Sequence, residues 1–177
     1  LSAFGVDVTI IGHNPYLLPR EEPEVSEMML AKAMGYMKVH VNKEVTEVRK
    51  SPNGKMVIFR DRSTKEFGEA TAEEILVTTG VVSNADTLNL PSTGVQLDNK
   101  GYVVVDQYLE TTQPGIWAMG DVIGRTMFRH TANYHVDVVW RNMFSKNKTP
   151  VDEHAVPHAV FAYPEVASVG MTLEDAR

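Results

Sequence analysis

Cysteine is absent from this 177-residue sequence. With it go disulfide staples, thiolate metal sites and any thiol redox chemistry carried by this stretch. Positive charge is also sparse. Seventeen Lys and Arg stand against 23 Asp and Glu, for a net charge of -6, and no Lys/Arg run exceeds two residues. That leaves no electrostatic footprint for a nucleic-acid backbone. No apolar run approaches the roughly 20 residues that cross a bilayer. The expectation is a soluble, cytoplasmic protein with neither nucleic-acid nor membrane partners. Hydrophobic residues make up 43% and charged residues 23%, the balance of a folded chain rather than a disordered one. The length suits one ordinary domain or two small ones. Both ends cut across elements: residues 1–5 read as a helix running into a strand, and residues 171–177 as a capped helix start. The sequence therefore reads as a piece of a longer chain.

Residues 6–11 (VDVTII) are short and β-branched, the pattern of a buried parallel strand. After a loop, Pro23 suits the first position of a helix, with Glu21, Glu22 and Glu24 near its positive end. Val25, Met29 and Ala33, with Leu30 and Met34, form adjacent rows on one face of that helix. Gly35 ends it, and residues 36–41 read as the next strand. The rhythm then changes to short alternating strands at 45–49, 55–61 and 66–70, separated by Ser-Pro-Asn-Gly and Arg-Ser-Thr-Lys turns. Residues 74–78 (EILVT) read as another buried strand. The order β-α-β-meander-β predicts an α/β fold, a Rossmann-like unit with an inserted β-meander. Beyond an Asn-, Pro- and Gly-rich linker at 84–101, strands are expected at 102–106 and 116–119. A helix is expected from about Thr131 to Phe144. Strands at 159–162 and 166–169 would open a third, antiparallel unit.

The segment with most chemistry in it is TTQPGIWAMGD, residues 111–121. A buried strand delivers Gly120 and then Asp121 to the carboxyl end of a sheet, where open α/β folds bind ligands. Glycine lets a phosphate or sugar approach the backbone, and a carboxylate accepts a hydrogen bond from a polyol hydroxyl. Taken alone, Gly-Asp is equally consistent with an aspartate that caps a following helix. Other constellations fail on geometry. His130 and His135 lie about 140° apart around a helix, which rules out a helical zinc pair. His154 and His158 are interrupted by Pro157. No metal site is expected.

The whole of T-x-x-P-G-I-W-A-M-G-D-V resembles the second flavin-binding motif of the pyridine nucleotide–disulfide oxidoreductase family (class I). Three further segments match that family in order. Thr78-Thr79-Gly80 with Ser83-Asn84 is similar to its A-T-G-R-x-x-N segment. Residues 127–132 (MFRHTA) are similar to the segment beneath the flavin. Residues 157–161 and 163–170 are similar to the opening of its dimerisation domain. The resemblance implies residues 1–85 as the later part of an NAD(P)-binding domain and 86–149 as the returning segment of an FAD-binding domain. Residues 150–177 would start an α+β interface domain. It implies FAD and NAD or NADP as cofactors, a small-molecule or protein-bound disulfide as substrate, and a homodimer for the full-length protein. Within the family the reading is a dihydrolipoamide dehydrogenase. Residues 83–86 and 130–133 look closer to mycothione reductase, with mercuric and glutathione reductases as further alternatives. Members without a redox cysteine pair, such as NADH oxidases, stay open, as does a non-catalytic dinucleotide-fold interaction module.

Residue by residue, the resemblance implies that Asp121 holds the ribityl chain and Gly120 lets the backbone approach. Met127, Phe128 and Arg129 would lie beside the flavin ring. His130 matches a family histidine, or simply bonds a neighbouring carbonyl. Thr79 and Gly80 would lie where the dinucleotide domains meet. No catalytic residue is expected among these 177 positions, because the redox cysteines and the His-Glu pair would fall elsewhere. Three positions depart from the pattern. Gly12 stands where an acid binds the adenosine ribose of NAD, which leaves His13 or Arg20 able to help bind a 2′-phosphate. Val81 stands where Arg is usual, and His135 where Glu is usual.

Overall fold

The computed structural model describes all 177 residues and divides into two compact units, Leu1–Thr78 with Ala159–Arg177, and Thr79–His158. In the first unit a one-turn 3-10 helix at Ser2–Phe4 precedes strand β1 (Thr9–Ile11). This strand pairs in parallel with β2 (Lys38–His40), Thr9 opposite Lys38 and Ile11 opposite His40. Between them runs helix α1 (Pro23–Ala33), with Pro23 in its first turn, Glu24 at the positive end and Lys32 in the last turn. This β-α-β crossover is the core of a Rossmann-like unit. The buried face of α1 is Ser26, Met29 and Ala33. Met34, expected on that face, is instead exposed. The helix ends at Ala33 and Met34 is its C-cap, whereas Ser26 is buried, its hydroxyl accepting the Leu18 N–H at 3.2 Å and tying the preceding loop to the helix.

The expected meander is present as an antiparallel sheet in the order β3-β4-β5: β3 (Lys43–Ser51), β4 (Gly54–Asp61) and β5 (Phe67–Ala72). A bulge between Val45 and Glu47 shifts its register. The β3–β4 turn requires Gly54, whose φ of 127° is open to glycine and whose Cβ would meet the Ala72 carbonyl oxygen at 2.4 Å. Phe59 of β4 is buried, with its ring laid over Gly68 of β5 and 5.1 Å from the His40 ring. The bare glycine on β5 makes room for that aromatic, which joins the meander to β2.

At the far end of β4, Asp61 pairs with its cross-strand neighbour Lys43 and accepts the Ser63 and Thr64 N–H groups at 2.8 and 2.9 Å. The Lys43 hydrogen bond, then those two backbone donors, hold its carboxyl far below the usual carboxylate range. A carboxyl depressed in the folded state adds stability above its unfolded pKa of about 3.9, and that stability is lost as pH falls toward the folded value. Asp61→Asn should therefore lower the urea midpoint of the full-length protein near pH 7. The gap from wild type should narrow as pH drops from about 4 to about 3, and go on narrowing below that. A gap of constant size across that range would show that the carboxylate charge is not what stabilises this turn.

The segment at residues 74–78 forms no strand, and Leu76 and Val77 are each 73% exposed. A strand exists only through a laddered neighbour, and β1 and β2 pair only with each other. Strands β6 (His158–Val160) and β7 (Val166–Ser168) pair with each other. At residues 171–177 the expected helix start is a capped turn. Thr172 Oγ1 accepts the Asp175 N–H at 3.2 Å and donates to its carboxylate at 2.7 Å.

The second unit is built on helix α2 (Arg129–Phe144) and a set of tight loops. The expected strands at 102–106 and 116–119 are reduced to single bridges: Leu97 to Val103, Val105 to Thr111, and Glu110 to Trp117. What holds these loops is apolar burial. Leu109, Ile123, Val138 and Val139 form one buried cluster, flanked by Trp117, Met119 and Val151. Ala85, Val95 and Val103 form another, and Val105, Ala118 and Val122 pack against both.

Candidate functional site

Gly120 ends the extended segment that leaves Trp117, and residues Gly120–Ile123 form one 3-10 turn. Gly120 has φ of 69°, and a Cβ there would sit 3.2 Å from the Ala132 Cβ on α2. Glycine thus permits both the left-handed backbone and the close approach of turn to helix. Gly124 closes the turn through its N–H to the Asp121 carbonyl at 3.0 Å, and the Tyr102 ring lies where its Cβ would be. The Val103 N–H donates to the Val122 carbonyl at 2.9 Å and pins the turn to the Val103 loop.

This turn forms one wall of a cavity of about 350 Å³ lined by Val81, Val82, Ser83, Asn84, Tyr102, Asp121, Val122 and Met127. The Asp121 side chain is exposed and makes no hydrogen bond or ion pair within the chain. A helix-capping aspartate would accept a nearby backbone N–H. Asp121 does not, so its acceptor oxygens are available to a ligand. Apolar walls with a few polar groups, among them Asn84 and Ser83, suit an elongated polyol with an apolar end.

The other expected residues are distributed as follows. Met127 lines the cavity, its sulfur 4.0 Å from the Tyr102 hydroxyl. Phe128 is the N-cap of α2 and makes no side-chain cap bond, so the first N–H groups of that helix lack a side-chain partner. Its ring stacks on His130 and on His158, each at 5.4 Å and 9°. Arg129 is exposed in the first turn. Thr131, one residue beyond His130, is buried with an unsatisfied hydroxyl. Thr79 and Gly80 are exposed at the start of this unit, leading into Val81 and Val82 of the cavity.

Gly12 and His13 belong to the first unit. Gly12 directly follows β1, donates to the His40 carbonyl at 2.8 Å and accepts the Lys43 N–H at 2.9 Å. A Cβ at Gly12 would touch only the His40 carbonyl oxygen, at 3.9 Å. His13 is exposed, and its carbonyl accepts from Arg62 Nη1 at 3.3 Å. Arg60 bonds Glu44 at 2.6 Å and holds its carboxyl below the usual range, with smaller help from the charges of Arg62 and His13. Arg62 lies in the β4–β5 turn, 49 residues beyond His13, and no sequence signal links the two.

Residue 135, marked by sequence only as a departure, is fully buried. His135 Nδ1 accepts the Gly120 N–H at 3.1 Å, and Nε2 lies 3.2 Å from Glu153 Oε1. Glu153 carries no motif signal at all.

Residues 1–135 match the family described as pyridine nucleotide-disulphide oxidoreductase. The chain is 31% identical over 183 residues to a mercuric reductase of Staphylococcus aureus, covering 98% of this chain and 31% of that protein. It is 32% identical over 177 residues to a dihydrolipoyl dehydrogenase of Rhizobium etli, covering 99% and 36% respectively. Among solved structures it superposes on the HOCl-induced flavoprotein disulfide reductase RclA of Escherichia coli with a TM-score of 0.87 and 28% identity. That match covers 99% of this chain and 40% of the other. The chain thus spans about a third of the length of the curated relatives it matches. It belongs to the pyridine nucleotide-disulphide oxidoreductase family, whose members use FAD and NAD(P)H.

Proposed function

We propose that the full-length protein passes electrons between NAD(P)H and a disulfide or dithiol through FAD, as a homodimer in the cytoplasm. Within that class the reading is a dihydrolipoamide dehydrogenase. The observation that carries the proposal is Asp121: a carboxylate without a partner in the chain, facing a cavity, on a turn whose shape depends on Gly120 and Gly124. Residues 86–149 serve as the returning segment of the FAD domain, residues 1–85 as the later part of the nicotinamide domain, and 150–177 as the start of the dimer interface.

The donor set fits the cofactor. Asp121 accepts from a ribityl hydroxyl, Asn84 and Ser83 supply further polar contacts, and Met127 gives an apolar, polarisable wall. The uncapped N–H groups at the start of α2 favour negative charge nearby, and Phe128, Arg129 and His130 lie on that same turn. FAD, when bound, supplies the two-electron chemistry that no side chain here offers. The residues of this chain bind, orient and tune it. An absorbance spectrum of the purified full-length protein tests the proposal. A visible-blue flavin band bleached anaerobically by NADH or NADPH is expected. A colourless protein that takes up no FAD would leave only a dinucleotide-fold interaction module.

The nicotinamide preference has its own test. Gly12 offers no carboxylate for the adenosine ribose, while His13, Arg20 and Arg62 offer positive or protonatable groups for a 2′-phosphate. Discrimination against NADPH should be weak. Gly12→Glu has room for its Cβ and adds both an acceptor for ribose hydroxyls and a repulsive charge. The NADH/NADPH ratio of kcat/KM should move by at least about tenfold toward NADH. Steady-state kinetics that return an unchanged ratio would remove this loop from the adenosine site.

A further inference from the structure

We infer that His135 is the positioning residue that sets the Gly120–Asp121 turn for flavin binding, as a neutral imidazole with its proton on Nε2 and Glu153 as its orienting carboxylate. The inference rests on the proposed role of Asp121 in holding FAD.

The tautomer follows from the partners. A backbone N–H can only donate, so the Nδ1 atom 3.1 Å from the Gly120 nitrogen must present its lone pair. The ring proton is then on Nε2, which donates to Glu153 Oε1 at 3.2 Å. An imidazolium would turn Nδ1 into a second donor facing the Gly120 N–H, so only the neutral ring serves.

Glu153 is itself fixed. The Val151 N–H donates to the Gln107 carbonyl at 2.8 Å, and the Asp152 N–H to the Tyr134 hydroxyl at 3.0 Å. Arg125 Nη1 lies 3.7 Å from Glu153 Oε2, and Arg125 Nη2 donates to the Val105 and Asp106 carbonyls at 3.1 and 3.3 Å. A polar chain thus runs from the Val105 loop through Arg125, Glu153 and His135 to one backbone amide. That amide belongs to the residue before Asp121. Gly120 is buried with its N–H turned inward, and Asp121 is exposed toward the cavity. Removing the acceptor leaves a buried N–H unpaired, which the turn relieves by rotating and carrying Asp121 with it.

Two near-isosteric variants of the full-length protein separate this role from bulk packing. His135→Asn keeps an acceptor at the Nδ1 position, and His135→Gln keeps instead a donor toward Glu153. Two measurements apply: hydrogen–deuterium exchange at Gly120 in the apoprotein, and the FAD dissociation constant by flavin fluorescence. His135→Asn should stay within about threefold of wild type in both. His135→Gln should speed Gly120 exchange and weaken FAD binding by about fivefold to a hundredfold. Equal behaviour of the two variants, whether both intact or both impaired, overturns the inference. Asp121→Ala serves as the control. If it leaves FAD binding unchanged, the flavin reading of the turn fails and takes this inference with it. If it weakens binding while His135→Gln does not, only the role of His135 fails.

Discussion

Leu109→Ala is expected to destabilise the Thr79–His158 unit by about 2–5 kcal/mol, roughly a thirty- to several-thousand-fold shift in its folding equilibrium. Leu109 has no exposed surface and sits in one cluster with Ile123, Val138 and Val139. These residues come from an irregular loop, the Gly120 turn and α2, so its side chain bridges three parts of the unit that few backbone ladders connect. Its backbone is left-handed, with φ of 68°, a conformation that costs an L-residue roughly 1–2 kcal/mol. Alanine keeps the Cβ and so the same backbone cost, and the difference between the two proteins therefore reports the side chain. The Leu109 N–H to the Asp106 carbonyl and the Ala118 N–H to the Leu109 carbonyl, both at 3.2 Å, are untouched by the change. Denaturant unfolding followed by tryptophan fluorescence reads it, because Trp117 packs on this cluster. A loss under about 0.5 kcal/mol, the range of an ordinary surface change, would show that this cluster is not the core of the unit.

The sequence was most legible where local chemistry alone decides structure. Pro23 with its acidic neighbours starts α1 because a helix N-terminus tolerates proline and favours carboxylates. The turn residues Pro52, Asn53 and Gly54 mark the meander because the φ of 127° at Gly54 is available only to glycine. Legibility fell where a segment depends on a neighbour far along the chain. Residues 74–78 have the composition of a buried strand, yet Leu76 and Val77 are exposed because no strand lies beside them. Ser26 joins the buried face of α1 with its hydroxyl bonded to the Leu18 N–H, which a polar residue type does not announce, while Met34 lies beyond the last turn as the C-cap. The site divides in the same way. Gly120 and Asp121 announce themselves as a motif, since a glycine turn followed by an acid is a local pattern. The His135–Glu153 pair spans 18 residues and ends on a backbone amide. Its only trace in the sequence is a histidine where the family pattern has glutamate, and that trace says nothing of the partner.

Asp121→Ala should weaken FAD binding by about ten- to a hundredfold in the full-length protein, the effect of losing one charge-assisted hydrogen bond of about 1.5–3 kcal/mol. The structure makes this a clean substitution. The Asp121 side chain has no partner within the chain, so its removal leaves no donor stranded and should not move the unfolding midpoint. Backbone geometry is not at issue either, because the left-handed positions on both sides are Gly120 and Gly124. Asp121→Asn refines the reading. The amide oxygen still accepts from a hydroxyl but without charge, keeping a neutral bond of about 0.5–1.5 kcal/mol, so its loss of binding should fall between wild type and alanine. A capping role predicts the reverse pattern, with stability lost in the alanine variant and FAD binding largely intact. Fluorescence titration of FAD into the apoproteins, beside their urea midpoints, separates the two. An alanine variant that purifies with full flavin and an unchanged dissociation constant would remove Asp121 from the cofactor site.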